Sequence, residues 1–382
     1  MRILFVTPII PEYRKWLYKK LGNIQNWDFY AIHGKENYGS FPKDIGLISD
    51  VKNIIIKNVY YNINSLPITW QFCFKYIYKL KPNIIILLDN VKIISNIFIF
   101  LLSKIFRYKI IFFTHGQNNG EFSKRNSQLS KIVDTFRYFI LKKSDAVIAY
   151  TTGVRKRLVL KGIENKKIFV ANNTLDLNKT YKFNKNVTSS HLTNLENKYN
   201  LKNKFVISFL GRLTKLKNIE LFIEVITALQ NRYPVAGFII GDGPEYKMLN
   251  EQLKTNNIKD IFLIGEKFDF ELACYLKKTD VVFLPQHSGL AIVHAFAFGK
   301  PFITGDSNLH GPEIEYLKNY ENGLLISPPE KSNFINSIEM IITDNEFYSS
   351  LSNGALKSSV DDLSPTIMLN AFVKAIEFAI SK

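Results

Sequence analysis

Apolar residues in this chain come in short dense blocks separated by amphipathic stretches. Met1 to Thr7 (MRILFVT) is nearly all apolar and stops at Pro8, which predicts a buried strand. Glu12 to Leu21 (EYRKWLYKKL) then brings Trp16, Leu17 and Leu21 to one side of a helix. Ile54 to Val59 and Ile84 to Leu88 read as further strands, rich in β-branched residues, as a parallel sheet covered on both faces requires. Helical spacing at Trp70 to Leu80, Ile93 to Phe106 and Ser130 to Lys143 alternates with strands at Ile110 to Phe113, Ala146 to Ala149 and Ile168 to Ala171. Such βαβ repetition predicts a doubly wound domain.

From Asp176 to Lys204 the composition turns to Asn, Lys, Ser and Thr, and the alternation restarts beyond it. Strands are expected at Phe205 to Leu210, Ala236 to Ile240, Ile261 to Ile264 and Val281 to Leu284. Helices are expected at Ile219 to Tyr233, Pro244 to Asn256 and Phe270 to Lys277. Pro365 to Ser381 is a last amphipathic helix with no strand after it, so it must pack on something already built. The expected organisation is an α/β chain of two doubly wound, Rossmann-like domains facing a cleft. The first spans 1–178, a linker 179–204 and the second 205–362, and a helix at 363–382 packs back on the first.

Leu284 to Asp306 (LPQHSGLAIVHAFAFGKPFITGD) is the stretch around which the second half is organised. It reads as a strand end, a loop with Ser288 and Gly289, an Ala- and Phe-rich helix, a stop at Gly299, and a new strand after Pro301. A strand running straight into a helix N-terminus leaves backbone N–H groups aimed at one spot, which favours an anion.

Length and composition set the class. The 382 residues, 46% hydrophobic and 22% charged, suit a two-domain globular protein. No apolar run reaches the 18 or so residues of a membrane-spanning helix, and the start of the chain reads as a strand rather than a signal peptide. Cys73 and Cys274 have no metal-type spacing and suit a reducing compartment.

Charge is unevenly placed. Residues 1–190 hold 31 Lys and Arg against 11 Asp and Glu, whereas residues 191–382 hold 19 against 22. That asymmetry points the first half at a polyanionic partner, either nucleic acid or an anionic membrane. No nucleic-acid-reading motif is present, so peripheral contact with an anionic membrane is expected. Tyr13, Arg14, Trp16, Lys19 and Lys20 are the candidate membrane side.

Candidate chemistry lies in three ordered motifs. FLGRLTKLKN, Phe209 to Asn218, places Gly211, Arg212 and Lys217 in the turn after a strand, where two cations suit a diphosphate. A glycine turn with solvated lysines would look the same. GDGPEYKML, Gly241 to Leu249, is a turn entering a helix with Pro244 at its first position, and turn chemistry alone accounts for it. SGL followed by HAFAFGKP completes the set.

In this order and spacing the motifs resemble those of the family-4 retaining glycosyltransferases of GT-B architecture. The resemblance covers both domains, most firmly Phe205 to Ile326. It implies that Arg212 and Lys217 hold the donor's diphosphate as the leaving group, and that Ser288, Gly289, Leu290 and Ala291 meet donor sugar and phosphate. It implies a His beside the donor sugar at His115 in the FTHG run, where an ordinary strand-end residue is the alternative. Glu313, in Gly311-Pro312-Glu313, matches a later donor-binding loop. Where the family carries a Glu, seven residues and a second Glu, this chain has Gln286 and His294. Gln and neutral His keep hydrogen-bonding capacity toward sugar and ribose while two carboxylates are lost. Asn218 also stands where a Gly is common.

The function implied is metal-independent, retaining transfer of a sugar from a nucleoside-diphosphate sugar to a glycan or lipid-linked acceptor, with no cofactor. The setting implied is bacterial cell-surface polysaccharide biosynthesis, at the cytoplasmic face of the membrane. The rival readings are a nucleotide-sugar epimerase on the same frame and a non-catalytic binding subunit, the latter favoured by the loss of both Glu residues.

Overall fold

The computed structural model describes residues 1–35, 46–63, 66–116 and 128–381. The chain divides into two compact units, Met1–Asn173 with Thr366–Lys382, and Thr174–Pro365.

In the first unit the strands are β1 (Arg2–Thr7), β2 (Asp28–His33), β3 (Lys52–Ile55), β4 (Asn58–Ile63), β5 (Leu66–Gln71), β6 (Ile84–Leu88), β7 (Lys109–Thr114), β8 (Ala146–Ala149) and β9 (Ile168–Val170). All but β4 and β5 form one sheet in the order β3-β2-β1-β6-β7-β8-β9, every pair parallel. β6 lies at its centre with β1 beside it, and Ile3 and Leu4 of β1 are fully buried. Such strands read as apolar runs because both faces are covered.

The helices are α1 (Lys15–Gly22), α2 (Phe74–Leu80), α3 (Ser95–Phe106), α4 (Gln128–Lys143) and α5 (Thr152–Leu160). The expected helix from Trp70 is corrected: Trp70 is in β5, paired antiparallel with β4, and the helix begins at Phe74. Thr, Trp and Ile in that stretch favour the pleated conformation. The expected strand from Ile54 to Val59 divides likewise between β3 and β4.

α1 also corrects an expectation. A 3₁₀ turn, Glu12–Arg14, precedes it, and its buried side carries Trp16, Leu17, Tyr18 and Leu21. Arg14 is 6% exposed; its guanidinium donates to the Tyr150 hydroxyl at 2.9 Å and lies over the Phe113 ring. Tyr13 is half-buried, and Lys19 donates to Ser49, leaving Lys20 as the one exposed member of the five expected on a membrane surface. Basic and aromatic residues interleave in sequence, but turning each residue about 100° around the helix separates them and sends the aromatic side inward.

In the second unit, β10 (Phe205–Leu210), β11 (Val235–Ile240), β12 (Ile261–Gly265), β13 (Val281–Phe283), β14 (Phe302–Gly305) and β15 (Gly323–Ile326) form a parallel sheet in the order β12-β11-β10-β13-β14-β15. Its helices are α6 (Leu177–Asn186), α7 (Ser189–Tyr199), α8 (Ile219–Gln230), α9 (Tyr246–Thr255), α10 (Asp269–Lys278), α11 (Ala291–Ala297), α12 (Lys331–Thr343) and α13 (Asn345–Asp361). The stretch expected as a linker therefore contains α6 and α7, which pack on α10. Lys277 donates to the carbonyls of Asn184 and Val187, and Tyr199 shares a hydrogen bond with Tyr275. α7 has no fully buried residue, so its polar composition resembles a linker.

The last helix, α14 (Pro365–Ile380), belongs to the first unit, with Met368, Phe372, Ala375, Ile376 and Ala379 in its core. Phe372 meets Phe5 and Phe113, and Phe5 stacks on Tyr18 of α1, so α1 and α14 share one face of the sheet. Right-handed crossovers then place α2 to α5 on the other.

Candidate active site

The strand order of the second unit reverses between β10 and β13, and the carboxyl ends of strands flanking such a reversal are where open α/β sheets bind ligands. The loops there are 211–218 after β10 and 284–290 after β13.

Glycines permit the first loop. Gly241 has φ +150°, and a Cβ on it would lie 2.0 Å from the Gly211 carbonyl oxygen; one on Gly243 would lie 2.3 Å from that of Leu213. The loops after β10 and β11 are thus pressed together backbone to backbone, which only glycine allows. Asn218 has φ +50°, the left-handed conformation that Gly and Asn tolerate, and this explains the exchange of one for the other. The Lys217 side chain crosses above Gly211, its Nζ 3.3 Å from a Cβ built there.

Lys217 is 9% exposed, and its ammonium donates to the His287 carbonyl at 2.9 Å. Among the described residues no carboxylate lies within ion-pair distance of it, and burial pulls its pKa from 10.5 down to about 8. His287 itself has φ +55°, the left-handed region that His enters more readily than most residues, and its carbonyl accepts from the ammonium. Arg212 is half-buried in the same loop.

Ser288 is fully buried. Its N–H donates to Nδ1 of His310 at 2.9 Å and its hydroxyl lies 3.0 Å from the same nitrogen, while Nε2 of His310 donates to the Gly305 carbonyl at 2.7 Å. The Gly311 N–H reaches the Ser288 carbonyl at 3.4 Å, and Glu313, 7% exposed, folds its carboxylate back over Gly311. Gln286 donates to Ser307 at 3.4 Å. A Cβ on Gly289 would meet no atom within 4 Å, so protein packing does not require glycine there. Leu290 caps α11, and Ala291 opens it. α11 has seven residues, so the anion preference read from its N-terminus is weak and the local positive charge comes from Lys217.

The structure thus brings together Gly211, Lys217, Ser288 and the segment holding Glu313. His294, on α11, borders a cavity of about 50 Å³ lined by Lys179, Thr180 and Phe183 of α6, Asp269, Leu272 and Ala273 of α10, and Phe298. Burial pulls its pKa down to about 4.

In the first unit, His115 follows β7, exposed, with its ring on Tyr150 at 4.0 Å. The turn beneath it rests on a buried ion pair: Arg137 donates from Nε to both oxygens of Asp89, at 2.8 and 2.9 Å, and Thr114 donates to Asp89 while accepting from the Gly116 N–H.

His287 and His310 escaped the sequence reading. Each lies in a loop outside any periodic pattern, and their roles come from a left-handed backbone turn and a contact 22 residues away.

Two Rossmann-like units with a cationic crevice at the switch point of the second define the GT-B class of fold. Residues 193–358 match the family described as Glycosyl transferases group 1, in agreement with the resemblance carried by the motifs. The 2-deoxystreptamine N-acetyl-D-glucosaminyltransferase of Niallia circulans is 29% identical over 162 residues, 40% of this chain and 40% of that relative. An uncharacterized glycosyltransferase of Methanocaldococcus jannaschii is 26% identical over 75% of this chain and 74% of its own. Among solved structures, Anabaena HepE in complex with UDP superposes with a TM-score of 0.74 over 99% of this chain and 100% of that one, at 17% identity.

Proposed function

We propose that this chain is a retaining glycosyltransferase that moves a sugar from a nucleoside-diphosphate sugar to a glycan or lipid-linked acceptor. The observation that carries this reading is Lys217, a buried ammonium whose recorded partner is a backbone carbonyl. Burying a cation without a carboxylate costs stability, and a protein retains such an arrangement where a ligand supplies the missing charge. The diphosphate of the donor is that ligand, with Arg212 adding two-pronged hydrogen bonding from the same loop. Gly289, which packing leaves free to vary, lets donor atoms approach the backbone closely. The HepE structure in complex with UDP supports the donor class.

In the reaction the bond from the anomeric carbon to the diphosphate oxygen breaks while the acceptor oxygen bonds to that carbon on the same face. The acceptor's proton passes to the departing phosphate, so no side-chain nucleophile is needed. Lys217 and Arg212 stabilise the charge growing on the leaving group. The excess of positive charge in residues 1–190 supports an acceptor at an anionic membrane, on its cytoplasmic side, as in assembly of a bacterial surface polysaccharide.

The test is release of nucleoside diphosphate from a panel of nucleotide sugars, with and without a lipid-linked glycan. Acceptor-dependent release is expected; conversion of the donor without any acceptor would indicate an epimerase. Arg212→Ala should lower turnover on the order of a hundredfold with folding intact. A folded variant working at the parent rate would overturn the assignment.

A further inference from the structure

The first unit carries a surface that the transfer chemistry does not use. On α3, Leu101, Ile105 and Phe106 are 55%, 71% and 52% exposed, and on α2 Tyr78 is 70% exposed. These side chains belong to one face: Tyr78 meets Phe106 edge-on at 6.3 Å, and Trp70 of β5 contacts Phe74 of α2 at 5.5 Å and Phe98 of α3 at 5.2 Å. Scattered exposed apolar residues are ordinary, but a contiguous aromatic and aliphatic face marks an interaction site.

The charges around it select the partner. Residues 51–116 contain nine Lys and Arg, of which Lys52 and Lys109 pair with Asp28 and Asp145, and one acidic residue, Asp89, which is buried against Arg137. Lys75 and Lys79 on α2, with Lys104 on α3 and Arg107 at its end, are exposed. A second copy of this chain would set these cations against their own kind. Nucleic acid would answer the charge but leave Leu101 and Ile105 in water. A partner both apolar and anionic over a broad plane is a bilayer with anionic headgroups.

We propose that the α2–α3 face docks this protein on an anionic membrane, with the α3 side chains at the acyl boundary and the lysines and arginine at the headgroups. This rests on the reading of a membrane-held acceptor and moves the contact surface from α1 to α2 and α3.

The test uses the full chain in flotation with vesicles of phosphatidylcholine alone or mixed with phosphatidylglycerol, without donor or acceptor, so its outcome is independent of the transfer reaction. The parent should float with the mixed vesicles, less as salt rises, and not with phosphatidylcholine. Lys79→Glu with Lys104→Glu and Arg107→Glu should lower partitioning on the order of a hundredfold, since each removed cation contributes roughly fivefold. Leu101→Ser with Ile105→Ser and Phe106→Ser should abolish the part that survives high salt. Both are surface changes, and unchanged melting temperatures establish that the variants fold. Lys19→Glu with Lys20→Glu on α1 should leave partitioning within twofold. The proposal is overturned if the parent ignores anionic vesicles at low salt, or if the α1 variant loses binding while the α2–α3 variants keep it. Concentration-dependent dimerisation of the parent, removed by the apolar variant, would assign the face to a second copy instead. Donor turnover with a soluble acceptor should persist in every variant, and its loss in the parent would sink the transferase reading alone.

Discussion

The backbone N–H and hydroxyl of Ser288 both converge on Nδ1 of His310, at 2.9 and 3.0 Å. Because Nε2 donates to the Gly305 carbonyl, Nδ1 must be the unprotonated, accepting nitrogen. The loop after β13 is therefore held by a neutral imidazole. Its pKa is lowered, first by desolvation and also by the charge of Lys217, while the Gly305 carbonyl and Asp306 oppose the shift.

His310→Ala should leave the buried Ser288 N–H without its acceptor, at a cost of about 1–3 kcal/mol. The donor's KM should rise more than kcat falls, because the loop is positioned rather than chemically involved. His310→Gln, which can accept at one end and donate at the other, should recover part of both. The pH dependence follows from the lowered pKa: the unfolded chain takes up the proton as pH drops below about 6.5 while the folded chain resists. Stability should fall on acidification below that point, and less so in His310→Gln. Thermal unfolding across pH measures this, and identical profiles for parent and variant would remove His310 from the account.

How far the sequence could be read depended on whether a residue's role is local. β10 was expected at Phe205 to Leu210 and lies there, because an apolar run buried on both faces has one reading. Trp70 was misplaced because an aromatic residue fits a strand or a helix, and its pairing across the β4–β5 hairpin decides between them. The turn carrying Lys217 was legible as Gly-Arg followed by Lys. Its burial was not, since it depends on the His287 carbonyl from a distant loop. Arg14 reads as a surface cation in its own segment and becomes core only because Tyr150 and Phe113 close over it.

Lys217 should combine a functional need with a structural cost. With its pKa lowered to about 8, an unfolded chain holds the proton more tightly than the folded one. Lys217→Met should therefore stabilise the fold, by roughly 1–3 kcal/mol at neutral pH, while lowering turnover on the order of a hundredfold. In the parent, kcat/KM should decline above about pH 8 as the ammonium loses its charge, and Lys217→Arg should move that decline to higher pH. Calorimetry and a pH–rate profile check both halves. A destabilised Lys217→Met variant with normal turnover would make this lysine a packing residue.

The Asp89–Arg137 pair in the first unit is 5% and 4% exposed at its side chains. Arg137→Met should leave the Asp89 carboxylate buried and uncompensated, costing about 3–5 kcal/mol. Asp89→Asn with Arg137→Met should recover much of the loss, because no net charge then remains inside. Chemical denaturation of the three proteins measures the cycle, and a double variant as unstable as the single would show that hydrogen bonding to Thr114 and Gly116, rather than charge, holds the turn.

His294 tests how strictly matched positions keep matched roles. The resemblance implies contact with the donor's ribose, yet the ring borders the cavity of about 50 Å³ between α6 and α10. Space of that size suits a water or two rather than a sugar ring. Burial also drives its pKa to about 4, so the folded protein holds it neutral while the unfolded chain protonates near 6.5. Stability should consequently be lost as pH falls from about 6.5 toward 4, a loss that His294→Leu removes. At neutral pH His294→Leu should keep the donor's KM within about twofold, filling the place with a side chain of similar bulk. A tenfold rise in KM, restored by His294→Glu, would instead return this residue to the ribose and require the cavity to open when the donor binds.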